Sequence, residues 1–143
     1  MAPKVDFYTT DDTRSEAAAR LLCRVIEKAY RQGLKVYVHT PTPRRARFFD
    51  ELLWTFRTGS FVPHEICDGS GGQGVPVRIG SGAVVRGDAS LLCNLSADPP
   101  PSQDGFERLV DVADGSEPDR SAGRTRFRWY KGQSLPLSHY PMK

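Results

Sequence analysis

The segment Asp119–Lys131, DRSAGRTRFRWYK, concentrates five cations and three aromatics in thirteen residues, and no acidic residue follows Asp119. On a helical wheel at about 100° per residue, Arg120, Arg124, Phe127 and Lys131 fall on one narrow stripe, with Arg128 at its edge. Trp129 lies opposite, beside Ala122, in the position of a core anchor. Like charges four residues apart cost a helix about 0.2–0.5 kcal/mol per pair, offset in part by the dipole at the helix C-terminus. A cationic face that meets only solvent gains nothing from a phenylalanine in its midst. A pocket for an acidic peptide with one apolar anchor uses both, because guanidinium groups donate paired hydrogen bonds to carboxylates. The charge distribution agrees. Residues 1–119 hold 14 Lys/Arg against 17 Asp/Glu, whereas residues 120–143 hold six Lys/Arg and no acid, which points to an acidic partner at the C-terminal end. A single-stranded nucleic acid is the competing ligand, since cations with aromatics also suit phosphates and bases. Charge confined to one short helix, rather than spread along a groove, favours the peptide.

Other residues that could do chemistry stand alone. His39, His64 and His139 are scattered; His39 sits at a strand end, where α/β enzymes often place function. No serine or cysteine has a nucleophile elbow, and Cys67, beside Asp68, has nothing local to activate it. Cys23, Cys67 and Cys93 are far apart, with no Cys-x-x-Cys, so the thiols read as reduced and no zinc site is expected. Cys93, in LLCNL, reads as a small core residue. GSGGQG (Gly69–Gly74) lacks the Gly-Lys-Ser/Thr ending of a phosphate loop and precedes a strand instead of opening a helix. The sequence therefore predicts no catalytic activity, no metal and no cofactor. A second binding candidate is LLWTFRTGSFVPHE (Leu52–Glu65), where Trp54 ends a helix and Phe61 and Val62 follow in a polar loop. Either the loop folds back and buries these side chains, or they form an exposed patch for a protein partner; spacing does not decide.

The elements that must position these residues alternate. DFYTT opens a strand. Thr13-Arg-Ser-Glu16 fits a capping box, followed by Ala18, Leu21, Leu22, Val25, Ile26 and Ala29 at helical spacing, with a stop at Gly33. That places a first helix near 14–31. LKVYVHT is a β-branched strand. Thr42-Pro43 caps a second helix ending near Phe56. Residues 57–74 read as loop, VPVRIG and SLLCNL as strands, and Ala83–Val85 as a short strand between them. FERLVDVAD reads as strand or helix, and its β-rich LVDV with closing turn residues favours strand. Ser116 caps a last helix over 117–131, which Gly132 ends, and residues 133–143 form a C-terminal tail. The order predicts a single α/β domain over 1–143, with a mostly parallel sheet flanked by helices. At 38% hydrophobic residues, with no apolar run long enough to span a bilayer and no signal sequence in MAPKVDF, a cytoplasmic protein without a membrane partner is expected.

DFYTT, LLCRVIEKAYRQGLKVYVHT, ELLWTFRTGSFVPHE, Pro-Val-Arg-Ile-Gly, LLCNLS, FERLVDVAD and RTRFRWYKGQSLPL stand in an order that resembles the chi subunit family of bacterial DNA polymerase III, almost end to end. The resemblance implies a non-enzymatic accessory subunit of the clamp-loader complex in DNA replication. Its fold would be like a mononucleotide-binding sheet without nucleotide chemistry. It implies two partners: the psi subunit, and the acidic C-terminal tail of single-stranded-DNA-binding protein, which ends in Pro-Phe. Contact with nucleic acid would be mainly indirect. The family's tail-contacting basic residues fall on Arg120 and Arg124, its aromatic contact on Phe127, and its psi-facing aromatics on Trp54 and Phe61, with Val62 beside them. Arg128 and Lys131 complete the basic face. Phe127 stands where the family usually has tyrosine, so a hydroxyl contact is lost. Gly123 inside the helix costs about 0.5–1 kcal/mol relative to alanine, which loosens its start near Arg120.

Overall fold

The computed structural model describes residues 2–67 and 75–142, so Gly69–Gly74 and Asp68 lie outside the described residues. Among the described residues ten elements follow in order: β1 (Lys4–Thr10), α1 (Ala17–Arg31), β2 (Val36–Thr40), α2 (Pro43–Thr55), β3 (His64–Ile66), β4 (Val77–Ser81), β5 (Leu91–Asn94), β6 (Arg108–Ala113), α3 (Asp119–Gly132) and β7 (Leu137–Met142). The strands make one seven-stranded sheet in the order β3-β4-β2-β5-β6-β1-β7, and every pairing is parallel.

Parallel strands need crossovers, and the crossovers bury both faces. β2 and β5 are accordingly buried along their whole length, which is why their sequences read as apolar runs. One face carries α1 and α2. Leu22, Ile26, Phe49 and Leu53 pack there against Val36, Val38, Ile79 and Val110. The other face carries α3, with Tyr130 over Val5, Phe7, Leu92 and Leu109. On the same face Arg78 is buried beside the ring of Tyr37, donating to the carbonyls of Val85 and Arg86.

Several sequence expectations are corrected. The first helix begins at Ala17, not at residue 14, and no capping box forms: Glu16 takes a left-handed backbone, φ 60°, with no capping bond from its side chain. Its carboxylate instead accepts from Arg45 of α2 at 2.9 and 3.1 Å. The Asp114 carboxylate accepts from the Ala18 N–H at 3.0 Å, so the cap comes from 96 residues away. Thr42 does cap α2, accepting from the Arg45 N–H at 3.1 Å. The stretch 57–74 is not all loop, because His64–Ile66 adds an edge strand to β4. Ala83–Val85 forms no strand. Ser116 is not the cap of α3; Pro118 holds that position, and the Ser116 hydroxyl bonds to Asp114. Nor is the C-terminus a tail: β7 pairs with β1 and closes the opposite edge of the sheet.

Candidate functional site

α3 is held to the sheet by a polar cluster that its sequence hides. Arg126 and Tyr130 point inward, and Asp111 on β6 accepts from both, at 3.0 Å from Arg126 Nε and 2.5 Å from the Tyr130 hydroxyl. Asn94 adds a third bond at 3.2 Å. The other Arg126 nitrogens donate to the carbonyls of Ala97 and Val112. Burial pushes the Asp111 carboxyl up from its ordinary value, against the pull of Arg126. Trp129 is therefore not the core anchor; it is 37% exposed, and Tyr130 fills that role. Gly123 has a packing reason: a Cβ there would sit 2.6 Å from the Cβ of Ala113. Its absence lets α3 lie close on β6.

This docking turns the stripe predicted from the sequence toward the carboxyl end of β1. Arg120, Arg124, Phe127 and Arg128 line a hollow of about 380 Å³. Its opposite wall comes from Phe7, Thr9 and Thr10 of β1 and His139 of β7. Phe127 is half-buried, edge-on to Phe7 at 5.6 Å and to His139 at 6.0 Å. His139 is fixed by a 2.7 Å bond between its Nε2 and the Thr9 hydroxyl. Two acids, Asp11 and Asp114, also face the hollow. Asp114 is already satisfied by the N–H groups of Ala18 and Ser116. Arg120, Arg124 and Arg128 have no carboxylate within 4 Å among the described residues. The hollow thus combines an apolar floor with guanidinium groups free to bind an anion. Lys131 is exposed and lies outside its lining. The sequence missed the sheet-side wall, because Phe7, Thr9 and His139 reach the helix only through β1–β7 pairing.

The second candidate resolves both ways at once. Val62 is 1% exposed and belongs to the core, whereas Trp54 is 43% and Phe61 65% exposed. Their rings lie 5.5 Å apart. His64 lies against Trp54, ring centroids 4.2 Å apart and tilted by 41°, and its two ring nitrogens lie 2.6 Å from the Val62 carbonyl and 2.9 Å from that of Asp50. An exposed aromatic pair is thereby presented at the β3 edge. From β3 to β1 is five strand intervals at about 4.8 Å, so the patch and the hollow are separated by roughly 24 Å.

Among the described residues, His39 and the three cysteines are not assembled into a catalytic group. His39 is buried at the end of β2, and burial lowers its pKa from the ordinary histidine value. Cys23 and Cys93 are buried, and desolvation pushes the Cys23 thiol up to about 12. Cys67 is half-buried at the end of β3.

The family model for the DNA polymerase III chi subunit, HolC, matches residues 2–138. The chain belongs to the DNA polymerase III chi subunit family. It is 32% identical over 137 residues to the DNA polymerase III subunit chi of Pseudomonas aeruginosa, covering 96% of this chain and 95% of that protein. It is 25% identical over 141 residues to the subunit chi of Haemophilus influenzae, with 96% of each covered. It is 27% identical over 137 residues to that of Escherichia coli, covering 94% and 91%. Among solved structures, Mss116p DEAD-box helicase domain 2 bound to an RNA duplex superposes with a TM-score of 0.64 at 9% identity. That likeness covers 98% of this chain and 64% of that one and is one of fold, a helix-flanked α/β sheet. Membership of the chi family carries an accessory role in DNA replication. Among the described residues no helix is long and apolar enough to cross a membrane, and no cluster of three or more His, Cys, Asp or Glu could hold a metal.

Proposed function

We propose that this chi-family chain is a non-catalytic adaptor with two faces. The hollow under α3 takes the acidic C-terminal tail of single-stranded-DNA-binding protein, and the Trp54–Phe61 patch takes the psi subunit, which links the chain to the clamp loader. The observation that carries the first half is the juxtaposition of unpaired Arg120, Arg124 and Arg128 with the Phe127–Phe7 floor. A peptide ending in Pro-Phe presents an aromatic ring and a terminal carboxylate together. Its ring matches the apolar floor. Its carboxylate matches a guanidinium, which binds through two parallel hydrogen bonds, and Arg124 on the central stripe is placed for it. Arg120 and Arg128 attract the preceding aspartates. Lys131 contributes at longer range, and the Debye length of about 10 Å at 0.1 M salt limits what it adds.

The psi face rests on exposure. Two large aromatics exposed side by side at an edge are what a protein interface uses as anchors. Val62 supports them from beneath instead of touching the partner. With roughly 24 Å between them by strand spacing, both faces can be occupied at once.

Calorimetric titration with the tail peptide, and with the same peptide lacking its last phenylalanine, tests the reading. The full peptide should bind and the truncated one should bind poorly even at low salt. Equal binding of the two would reduce the hollow to a diffuse cationic surface.

A further inference from the structure

We propose that the exposed face of α1 is a second binding surface, one that holds the phosphate backbone of single-stranded DNA. Arg20, Arg24, Lys28 and Arg31 are all exposed on α1. At about 100° and 1.5 Å per residue they occupy an arc of about 80°, and Arg20, Arg24 and Lys28 follow one another at intervals of about 6 Å. Arg31 is engaged by Glu27 at 3.5 Å. The other three have no carboxylate within 4 Å among the described residues, because the acids around them are committed elsewhere. Glu27 is taken by Arg57 and Ser60, Glu16 by Arg45, and Asp12 by Arg14. Residues 1–119 carry more acid than base, so three free cations in a row on this helix are a local departure from the charge around them.

The chemistry of this face differs from that of the α3 hollow. No aromatic interrupts its row of cations; Phe56 stands at one end, beside Arg20 and Arg24. Evenly spaced positive charges along a straight helix instead match a polyanion whose charges repeat. The stripe also opens into a hollow of about 270 Å³, walled by Arg14, Arg20, Arg24 and the half-buried Phe56, with Asp12 as its one acid. A base stacked at the Phe56 rim, with neighbouring phosphates on the arginines, is how cations and aromatics combine on single strands. A duplex hides its base faces and would leave Phe56 unused. α1 covers the face of the sheet opposite α3, so a DNA strand and an acidic peptide would not compete. The inference stands on the family's place in DNA replication and does not need the tail-binding reading to be right.

Fluorescence anisotropy with a short labelled oligothymidylate tests it on the full chain. Three phosphate contacts predict a slope of about −2 for log K against log salt, or about a 15-fold loss between about 50 and 200 mM salt. The triple variant Arg20→Gln, Arg24→Gln, Lys28→Gln keeps good helix formers on an exposed face; its unfolding midpoint should match wild type. It should bind at least about tenfold more weakly at low salt, with the slope near zero, and should titrate the tail peptide as wild type does. Unchanged affinity and slope in the triple variant would overturn the proposal. So would no binding by wild type at low salt, tighter binding of a duplex of equal length, or displacement of the oligonucleotide by saturating tail peptide.

Discussion

Asp111 on β6 and Arg126 on α3 form an ion pair at 3.0 Å with both side chains essentially removed from solvent. The pair fixes the helix that bears Arg124 on its opposite side and Phe127 about 100° around from Arg126. Replacing one member strands a buried charge, which costs about 3–5 kcal/mol. Arg126→Ala should lower unfolding free energy by that amount in urea denaturation. The double variant Asp111→Asn, Arg126→Met should recover most of it, since no buried charge remains. A loss below about 1 kcal/mol in Arg126→Ala would show that water replaces the partner without penalty.

Gly123→Ala separates helix propensity from docking. In an exposed helix the change gains about 0.5–1 kcal/mol. Here the new Cβ meets Ala113 at 2.6 Å, so overpacking at about 1–3 kcal/mol wins. The variant should melt earlier and bind tail peptide less well. The pair Gly123→Ala, Ala113→Gly should restore both. Unaltered thermal unfolding in the single variant would mean that the helix lifts away freely.

In the hollow, Arg124→Ala should weaken tail-peptide binding by about 1.5–3 kcal/mol, the range for hydrogen bonds to charged groups. Lys131→Ala should cost well under about 1 kcal/mol, because Lys131 lies outside the hollow's lining. Calorimetry on the two variants in parallel gives the ranking, and a reversed order would move the site along α3.

Around β3, stability and binding should part company. Phe61→Ala, at an exposed position, should shift stability by no more than about 0.5 kcal/mol and abolish co-purification with psi. Val62→Ala empties core volume and should cost about 1.5–3 kcal/mol of stability while leaving psi binding intact in the folded fraction. Undiminished co-purification of the Phe61 variant removes this patch from the adaptor reading.

What the sequence reveals here is what local spacing encodes. The apolar faces of α1 and α2, the Thr42 cap and the cationic stripe of α3 are all properties of a few turns of chain. What it conceals depends on distant partners. The Thr13–Glu16 box is outcompeted by Asp114 and Arg45, which become neighbours only after folding. Arg126 reads as a surface charge until Asp111 is placed beneath it. Trp129 stands opposite the cationic stripe on the wheel, but only the Tyr130 hydroxyl has a buried acceptor. β7, written LSHYPM, carries a proline and mixed polarity, and it becomes a strand because β1 offers it an edge. For the same reason half of the candidate hollow was invisible: its helix wall is local, and its sheet wall is not.

The pairing of β1 sets a timetable for synthesis. Among the described residues it pairs as a strand only with β6 and β7, with Val5 opposite Leu109 on one side and Leu137 on the other. β1 must therefore wait for about 100 further residues before β6 follows and about 130 before β7 does, roughly 5–20 and 7–26 seconds at about 5–20 residues per second. Until β6 emerges both of its hydrogen-bonding edges are bare, the condition under which nascent strands pair with the wrong neighbour. A chain stalled before residue 108 has no partner for β1 at all. Such stalled chains should bind a holdase chaperone and be cut readily by protease, and both behaviours should end once β6 and β7 have emerged.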